Sequence, residues 1–319
     1  MALVALVANV YGELRDFTQP RRDMADFLIS GAVMAAIGCT LAAILALAGK
    51  KLYVWEDPRI DEVERMLPNA NCGACGSPGC RAFAERVVAG EAAPGKCTVS
   101  APDGIIAIAT LLGVSAGVEQ KRVARLACAG GSHVAVNRAS YEGLGTCRAA
   151  ALVAGGGKAC SWGCLGLADC ERVCDFEAIS MDAHGLPVVS EARCTACGDC
   201  VEVCPKGLFS LHASDHRLWV ACKNLLQGED AESLCDVACT GCGRCAADAP
   251  AGLIQIVNNL AVIDYGGNHA GALAAIERCP TGAIVWMDEQ RGPRKGRDAR
   301  KITRKSARPV QADPLTIRQ

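Results

Sequence analysis

Eight cysteines between Cys160 and Cys204 constrain this chain more than any other feature. They fall in two runs of four: Cys160, Cys164, Cys170 and Cys174, then Cys194, Cys197, Cys200 and Cys204. The second run is spaced C-x2-C-x2-C-x3-C and followed by Pro205. That is a run which holds cubane iron–sulfur clusters, its fourth cysteine ligating the neighbouring cluster. Thiolates at i, i+3 and i+6 on a tight loop grip three corners of one cube, and the fourth, carried off by a helix start, reaches the other. The first run is wider, C-x3-C-x5-C-x3-C, with Asp175 where proline is usual. Crosswise pairing predicts Cys160, Cys164 and Cys170 with Cys204, and Cys194, Cys197 and Cys200 with Cys174. Zinc is the alternative for C-x2-C pairs. A zinc site closes on four ligands, however, and has little use for eight interleaved ones ending in Cys-Pro.

Twenty-one cysteines in 319 residues would suggest a disulfide scaffold in a secreted chain. The spacings argue instead for a reducing compartment where thiolates load iron, so the cysteine-rich part is expected to face the cytoplasm. Aromatic residues are only 4%. Clusters organise their own loops, and loading becomes part of the folding free energy, so the apo-protein is expected to be poorly folded. The formal charge of −1 hides an asymmetry: residues 291–319 carry ten Lys/Arg and two Asp, and the rest of the chain is correspondingly acidic.

Residues 1–26 carry no clear pattern and read as an N-terminal extension, with Met24 an alternative start. Residues 27–49, FLISGAVMAAIGCTLAAILALAG, are uncharged and stopped by Lys50 and Lys51. About 20 apolar residues cross a bilayer, so this predicts one transmembrane helix; a signal peptide or a buried helix is the alternative. Cys39 within it is a small apolar packing residue. Arg15, Arg21 and Arg22 nearly balance Lys50 and Lys51, so the cluster ligands decide the orientation, placing residues after the span in the cytoplasm.

Residues 50–110 read as a four-cysteine domain. A short helix over Ile60–Leu67 precedes NCGACGSPGC, which gives Cys72, Cys75 and Cys80, and a helix after Cys80 returns the chain to Cys97. Glycines let that loop close tightly; one cubane cluster is expected, zinc being the alternative. Residues 103–113 predict a helix capped by Asp103. Residues 111–158 form a linking domain, 159–215 a two-cluster ferredoxin-like domain, and 216–288 a second ferredoxin-like module. Gly155-Gly156-Gly157-Lys158 lacks the spacing and the Ser/Thr of a P-loop and reads as a turn.

In the second module Cys239, Cys242 and Cys245 keep the run, with Ala249 in fourth place. Counting back from Cys279-Pro280, the partner run reads His269, Ala272, Ala275, Cys279. Crosswise, Cys239, Cys242, Cys245 and Cys279 keep a full set, and the other site has lost every cysteine. His269 alone cannot hold a cube. Cys128, Cys147, Cys222 and Cys235 remain, either a fifth cluster or buried structural thiols. Cys128 and Cys222 each close a short apolar run, VARLAC and LWVAC, which hints at duplicated surroundings.

The span, the basic hinge, LPNANCGACGSPGC with its distant fourth cysteine, GCLGLADC and the ferredoxin runs together resemble the B subunit of Rnf-type ion-translocating oxidoreductase complexes, over about residues 24–288. The resemblance implies an electron-transfer subunit in the bacterial cytoplasmic membrane, cluster domains inside. It would relay electrons through several 4Fe-4S clusters, four by the sets above and a fifth if the remaining thiols bind one. The implied partners are soluble ferredoxin and the other subunits of the complex, which carry flavin or nicotinamide chemistry and the ion path. As part of such a complex it belongs to a ferredoxin:NAD+ oxidoreductase-type translocase.

No general acid–base pair or activated nucleophile is evident, so no bond-making catalytic residue is expected in this chain. An iron–sulfur component of another membrane reductase, or a metal-storage or maturation scaffold, is the alternative. The expected fold class is α+β: one transmembrane helix, the four-cysteine domain, ferredoxin-like modules built on short strands such as EAISMDAHGLPVV, GLFSLHA, GLIQIVNNLAVIDY and GAIVWMD, and a basic disordered tail over 289–319. The tail suits anionic headgroups or an acidic ferredoxin, or is merely solvated; nucleic acid is not an expected partner.

Overall fold

The structure is a computed structural model and describes residues 20–52, 56–117, 120–268, 273–288 and 291–302. His269 and Ala272 lie outside these. The chain forms two compact units, Met1–Pro58 and Arg59–Gln319.

In the first unit the uncharged stretch folds as helix α1 (Pro20–Lys51). Its apolar part, Phe27–Lys51, rises ~37 Å at ~1.5 Å per residue, enough for a hydrocarbon core ~30 Å thick. Phe27, Leu28, Met34 and Leu45 are all exposed, and a helix apolar all round needs an apolar surrounding. The Thr40 hydroxyl bonds back to the Ala36 and Ile37 carbonyls and Ser30 to Phe27, so the side-chain donors are satisfied inside the helix, as a bilayer demands. Lys50 and Lys51 occupy the last turn, where cations suit both the helix dipole and headgroups.

The second unit begins with α2 (Pro58–Met66), α3 (Cys80–Val88) and α4 (Pro102–Leu112). They close around Val63, Leu67, Phe83, Val87, Ile108 and Cys97. Arg81 of α3 bridges Asp61 and Glu64 of α2 at 3.0 and 2.8 Å. Ala101 caps α4, with Pro102 in its first turn and Asp103 inside that turn, so Asp103 is not the expected cap.

Two modules of one plan follow. In the first, β1 (Arg122–Leu126) pairs antiparallel with β4 (Phe209–Ala213), and β2 (Ile179–Met181) with β3 (Pro187–Val189). In the second, β5 (Leu218–Val220) pairs with β8 (Ile284–Asp288), and β6 (Ile254–Val257) with β7 (Leu260–Ile263). The β6–β7 hairpin turns on Asn258-Asn259, at φ 49° and 63°, the left-handed pair that a two-residue primed turn requires. Short helices carry the cysteine loops: α5 (Cys147–Leu152), α6 (Asp169–Arg172) and α7 (Asp199–Val203), then α8 (Gly228–Leu234), α9 (Arg244–Asp248) and α10 (Ala274–Glu277). The modules join where Trp219 Nε1 donates to Leu126 O at 2.8 Å and the Trp219 ring meets His212 and Tyr265.

Two expectations change here. Residues 111–158 are woven into the modules rather than linking them. They supply β1 to the first sheet, and Ala135 bridges to Cys235 in the second module. The basic tail begins later than 289. β9 (Gly292–Arg294) adds to β8, Asp298 N donates to Glu277 O and Arg300 N to Pro280 O, and Arg300 pairs with Glu232 at 2.6 Å. Glycine permits the approach: a Cβ at Gly296 would stand 1.8 Å from Ile276 O. Residues 303–319 lie outside the described residues.

One buried ion pair sits beside the first module's sites. Arg125 of β1 is 4% exposed and bonds Glu191 at 2.6 Å, while its Nε and Nη2 find no hydrogen-bond partner among the described residues. Removing the carboxylate leaves a buried guanidinium uncompensated. Glu191→Ala should cost about 3 kcal/mol, the low end for breaking a buried pair because Glu191 keeps some solvent contact. Arg125→Met removes the charge as well and should cost far less. Native-state hydrogen exchange in β1 and β4 checks this, with opening about a hundredfold more frequent in Glu191→Ala for that energy. Equal effects of the two substitutions would show the pair to be solvated.

Candidate metal centres

Four cavities, each enclosing about 330–350 Å³ of empty space with the mouth included, are lined by four thiols apiece. The first holds Cys72, Cys75, Cys80 and Cys97. Asn71 Oδ1 accepts from Cys80 N at 2.8 Å, and Gly73 and Gly76 turn with φ of 70° and 77°, wrapping the loop around the cavity. A second is lined by Cys174, Cys194, Cys197 and Cys200, and a third by Cys239, Cys242, Cys245 and Cys279. Ala275 and Ile276 are fully buried, and Ala249 packs against the same core. Apolar packing thus occupies positions where a second set would have stood in that module.

The fourth cavity departs from the sequence expectation. It is lined by Cys128, Cys160, Cys222 and Cys235, so Cys160 stands with three of the leftover thiols and not with Cys164, Cys170 and Cys204. The duplicated plan explains the meeting. Cys128 and Cys222 each lie two residues beyond equivalent strands, β1 and β5, and Ala129 N donates to Ala221 O between them. Each module therefore contributes two thiols to a site at their junction. Cys147, Cys164, Cys170 and Cys204 line none of these four cavities. The thiols of Cys147 and then Cys204 act electrostatically on Cys170, whereas Cys164 feels Cys128 ahead of Cys170. The start of α5 is pinned to α6 by Arg148 N to Asp169 Oδ2 at 3.1 Å and by Arg172 Nη2 to Gly145 O at 2.6 Å. Sixteen of the 21 cysteines thus line four cavities, four apiece; Cys147, Cys164, Cys170 and Cys204 are left, and Cys39 belongs to α1.

The donor chemistry fits an iron–sulfur cluster. Burial pushes the thiols of Cys164, Cys170, Cys200, Cys222, Cys235 and Cys245 up to about 12. Backbone N–H groups point at the sulfurs: Ala124 to Cys194, Ala178 to Cys174 and Leu208 to Cys204, at 3.3–3.5 Å. Among the described residues no three Cys, His, Asp or Glu side chains converge on one point as a single ion requires. Around one zinc, with sulfurs ~2.3 Å from the metal, thiols would stand almost in contact.

Neighbouring groups also touch. Thr98, next to Cys97, donates to Thr195 O, next to Cys194, at 2.6 Å. Cys164 N donates to Cys128 Sγ at 3.4 Å, and Cys239 N to Cys222 Sγ at 3.3 Å.

Residues 67–99 match the family model described as "Putative Fe-S cluster", and residues 186–209 match "4Fe-4S binding domain". The chain is 41% identical to the B subunit of the Na(+)-translocating ferredoxin:NAD(+) oxidoreductase complex of Acetobacterium woodii, over 81% of this chain and 77% of that one. It is 36% identical to the B subunit of the ion-translocating oxidoreductase complex of Methanosarcina acetivorans, over 82% and 99%. To the B subunit of the proton-translocating ferredoxin:NAD(+) oxidoreductase complex of Clostridium ljungdahlii it is 38% identical, over 79% and 89%. With its thiol groups and its apolar helix, the chain belongs to the B-subunit family of Rnf-type ion-translocating oxidoreductase complexes.

Proposed function

We propose that this chain relays electrons from a reduced ferredoxin toward the membrane partners of an ion-translocating ferredoxin:NAD+ oxidoreductase, through five 4Fe-4S sites. The observation that supports this is that sixteen of the twenty cysteines outside α1 line four cavities, four apiece, which leaves one further set of four. The ligand sets are Cys72, Cys75, Cys80, Cys97; Cys174, Cys194, Cys197, Cys200; Cys147, Cys164, Cys170, Cys204; Cys128, Cys160, Cys222, Cys235; and Cys239, Cys242, Cys245, Cys279. Bound clusters supply one-electron transfer, at potentials the protein sets through charge, burial and hydrogen bonds to sulfur.

The chain's own part is to hold the sites in a line and keep water from them. Thr98–Thr195 joins the first set to the second. The second and third exchange their fourth ligands, Cys174 and Cys204, across one module. Cys164–Cys128 and Cys222–Cys239 then lead through the fourth set to the fifth. The α1 helix anchors the line at the membrane, and the need for reduced thiols puts the sites on the cytoplasmic side. Iron and acid-labile sulfide on anaerobically purified full-length chain test the reading, with about twenty irons expected, four for each cubane. Zinc in place of iron would end it. Failure of membranes containing this chain to oxidise reduced ferredoxin would point instead to a storage scaffold.

A further inference from the structure

The junction site differs from the Cys174 site in the charge around it. Lys158 lines its cavity. Its Nζ donates to Gly130 O at 2.6 Å, fixing an ammonium beside Cys160, Cys164 and Cys235, where it favours their charged forms. Lys206 is tied to Ser161 O, next to Cys160, at 2.9 Å. Lys223, also in the wall, donates to Gly207 O. Cys128 and Cys222 each accept a backbone N–H from the residue two further on, Gly130 and Asn224. Cys128 and Cys222 each take a second from Cys164 and Cys239. The Cys174 site has comparable backbone donors, from Ala124 and Ala178, but the opposite charge beside it. Asp199 is in its wall, and its carboxylate stands against the Cys197 thiol.

Positive charge favours the more negative, reduced form of a cluster, and a neighbouring carboxylate disfavours it. We propose that the Cys128–Cys160–Cys222–Cys235 site is the highest-potential point of the relay, set there by a collar of lysines led by Lys158. Electrons then collect at the module junction instead of crossing it at constant energy. One electron gained there is one lost by a reduced neighbouring cluster, and no proton or co-reactant is required. The proposal rests on the five-set reading above.

A redox titration of the loaded full-length chain, followed by EPR, tests it. The first signal to appear as the potential is lowered should vanish in Cys235→Ala, with the loss of about four irons, one cubane. Lys158→Gln at full iron content should lower the reduction constant of that signal about tenfold, ~59 mV for a one-electron couple. Lys158→Arg should leave it in place. Should Lys158→Gln load poorly, Lys206→Gln gives the same shift at smaller size. An unmoved first signal in fully loaded Lys158→Gln overturns the lysine collar and leaves the five sets standing. So does a first signal that survives Cys235→Ala while four irons are lost. A Cys235→Ala chain that keeps all its iron defeats the five-set reading first.

Discussion

Cys160→Ala should remove the same cluster as Cys235→Ala, and Cys147→Ala the same one as Cys204→Ala. Each single substitution should leave about sixteen irons of about twenty, since one lost ligand opens one cubane. Pairs then report the grouping. Cys160→Ala with Cys235→Ala should still leave about sixteen, because both fall in one set, whereas Cys160→Ala with Cys204→Ala should leave about twelve. The simple crosswise pairing of the two runs gives the reverse: Cys160 and Cys204 would share a cubane, and their double substitution would leave about sixteen. The structural ground is the placement of Cys160 in the wall of the junction cavity with Cys128, Cys222 and Cys235, while Cys147, held by Arg148 N to Asp169, acts on Cys170. Iron counting on the doubles separates the two schemes without any kinetic assay.

Much of this was legible in the sequence because cubane ligands are local. Cys72, Cys75 and Cys80 lie within nine residues, and the Cys194 and Cys239 runs are just as compact, so spacing alone places three ligands on one loop. A returning helix or the crosswise rule supplies the fourth. The junction site has no such signature. Its four ligands come from four separate segments, between Cys128 and Cys235, and only the fold brings them together. Cys160-x3-Cys164 looks like the start of a run, yet of the two only Cys160 lines the junction cavity. The repeated VARLAC and LWVAC did carry the answer in outline, because β1 and β5 are equivalent strands and each delivers a cysteine two residues later. The same three-residue brevity hid β5 and β9 as strands, and β1 sat in a stretch whose partner, β4, is more than eighty residues away. The basic stretch from 291 misled through composition. Arg300 and Arg294 face Glu232 and Glu277, and Gly296 lets the backbone lie against α10, a fit that no charge count reveals.

Stripping the iron should unfold most of Arg59–Gln319 and spare α1. The sheets of the modules have two or three strands of three to five residues, and isolated hairpins of this kind are marginal in water. Their cores are built on thiols: Cys239, Cys245 and Cys279 in one, Cys170 and Cys200 in another. An empty cavity takes away the contacts on one side of each of these residues. A structural zinc contributes about 10–16 kcal/mol to folding. Even a third of that at five sites exceeds the ~5–15 kcal/mol by which an ordinary domain is stable. After chelation under reducing conditions, amides of β1 through β8 should exchange at the rates of an unfolded chain. Helical circular dichroism from α1 should persist in detergent, since its hydrogen bonds are internal and owe nothing to the clusters. Protection that survived in the β1–β4 and β5–β8 pairs of the iron-free chain would show that apolar packing around Trp219, Val285 and Ala127 suffices to hold the modules. The clusters would then be passengers in a fold that forms without them.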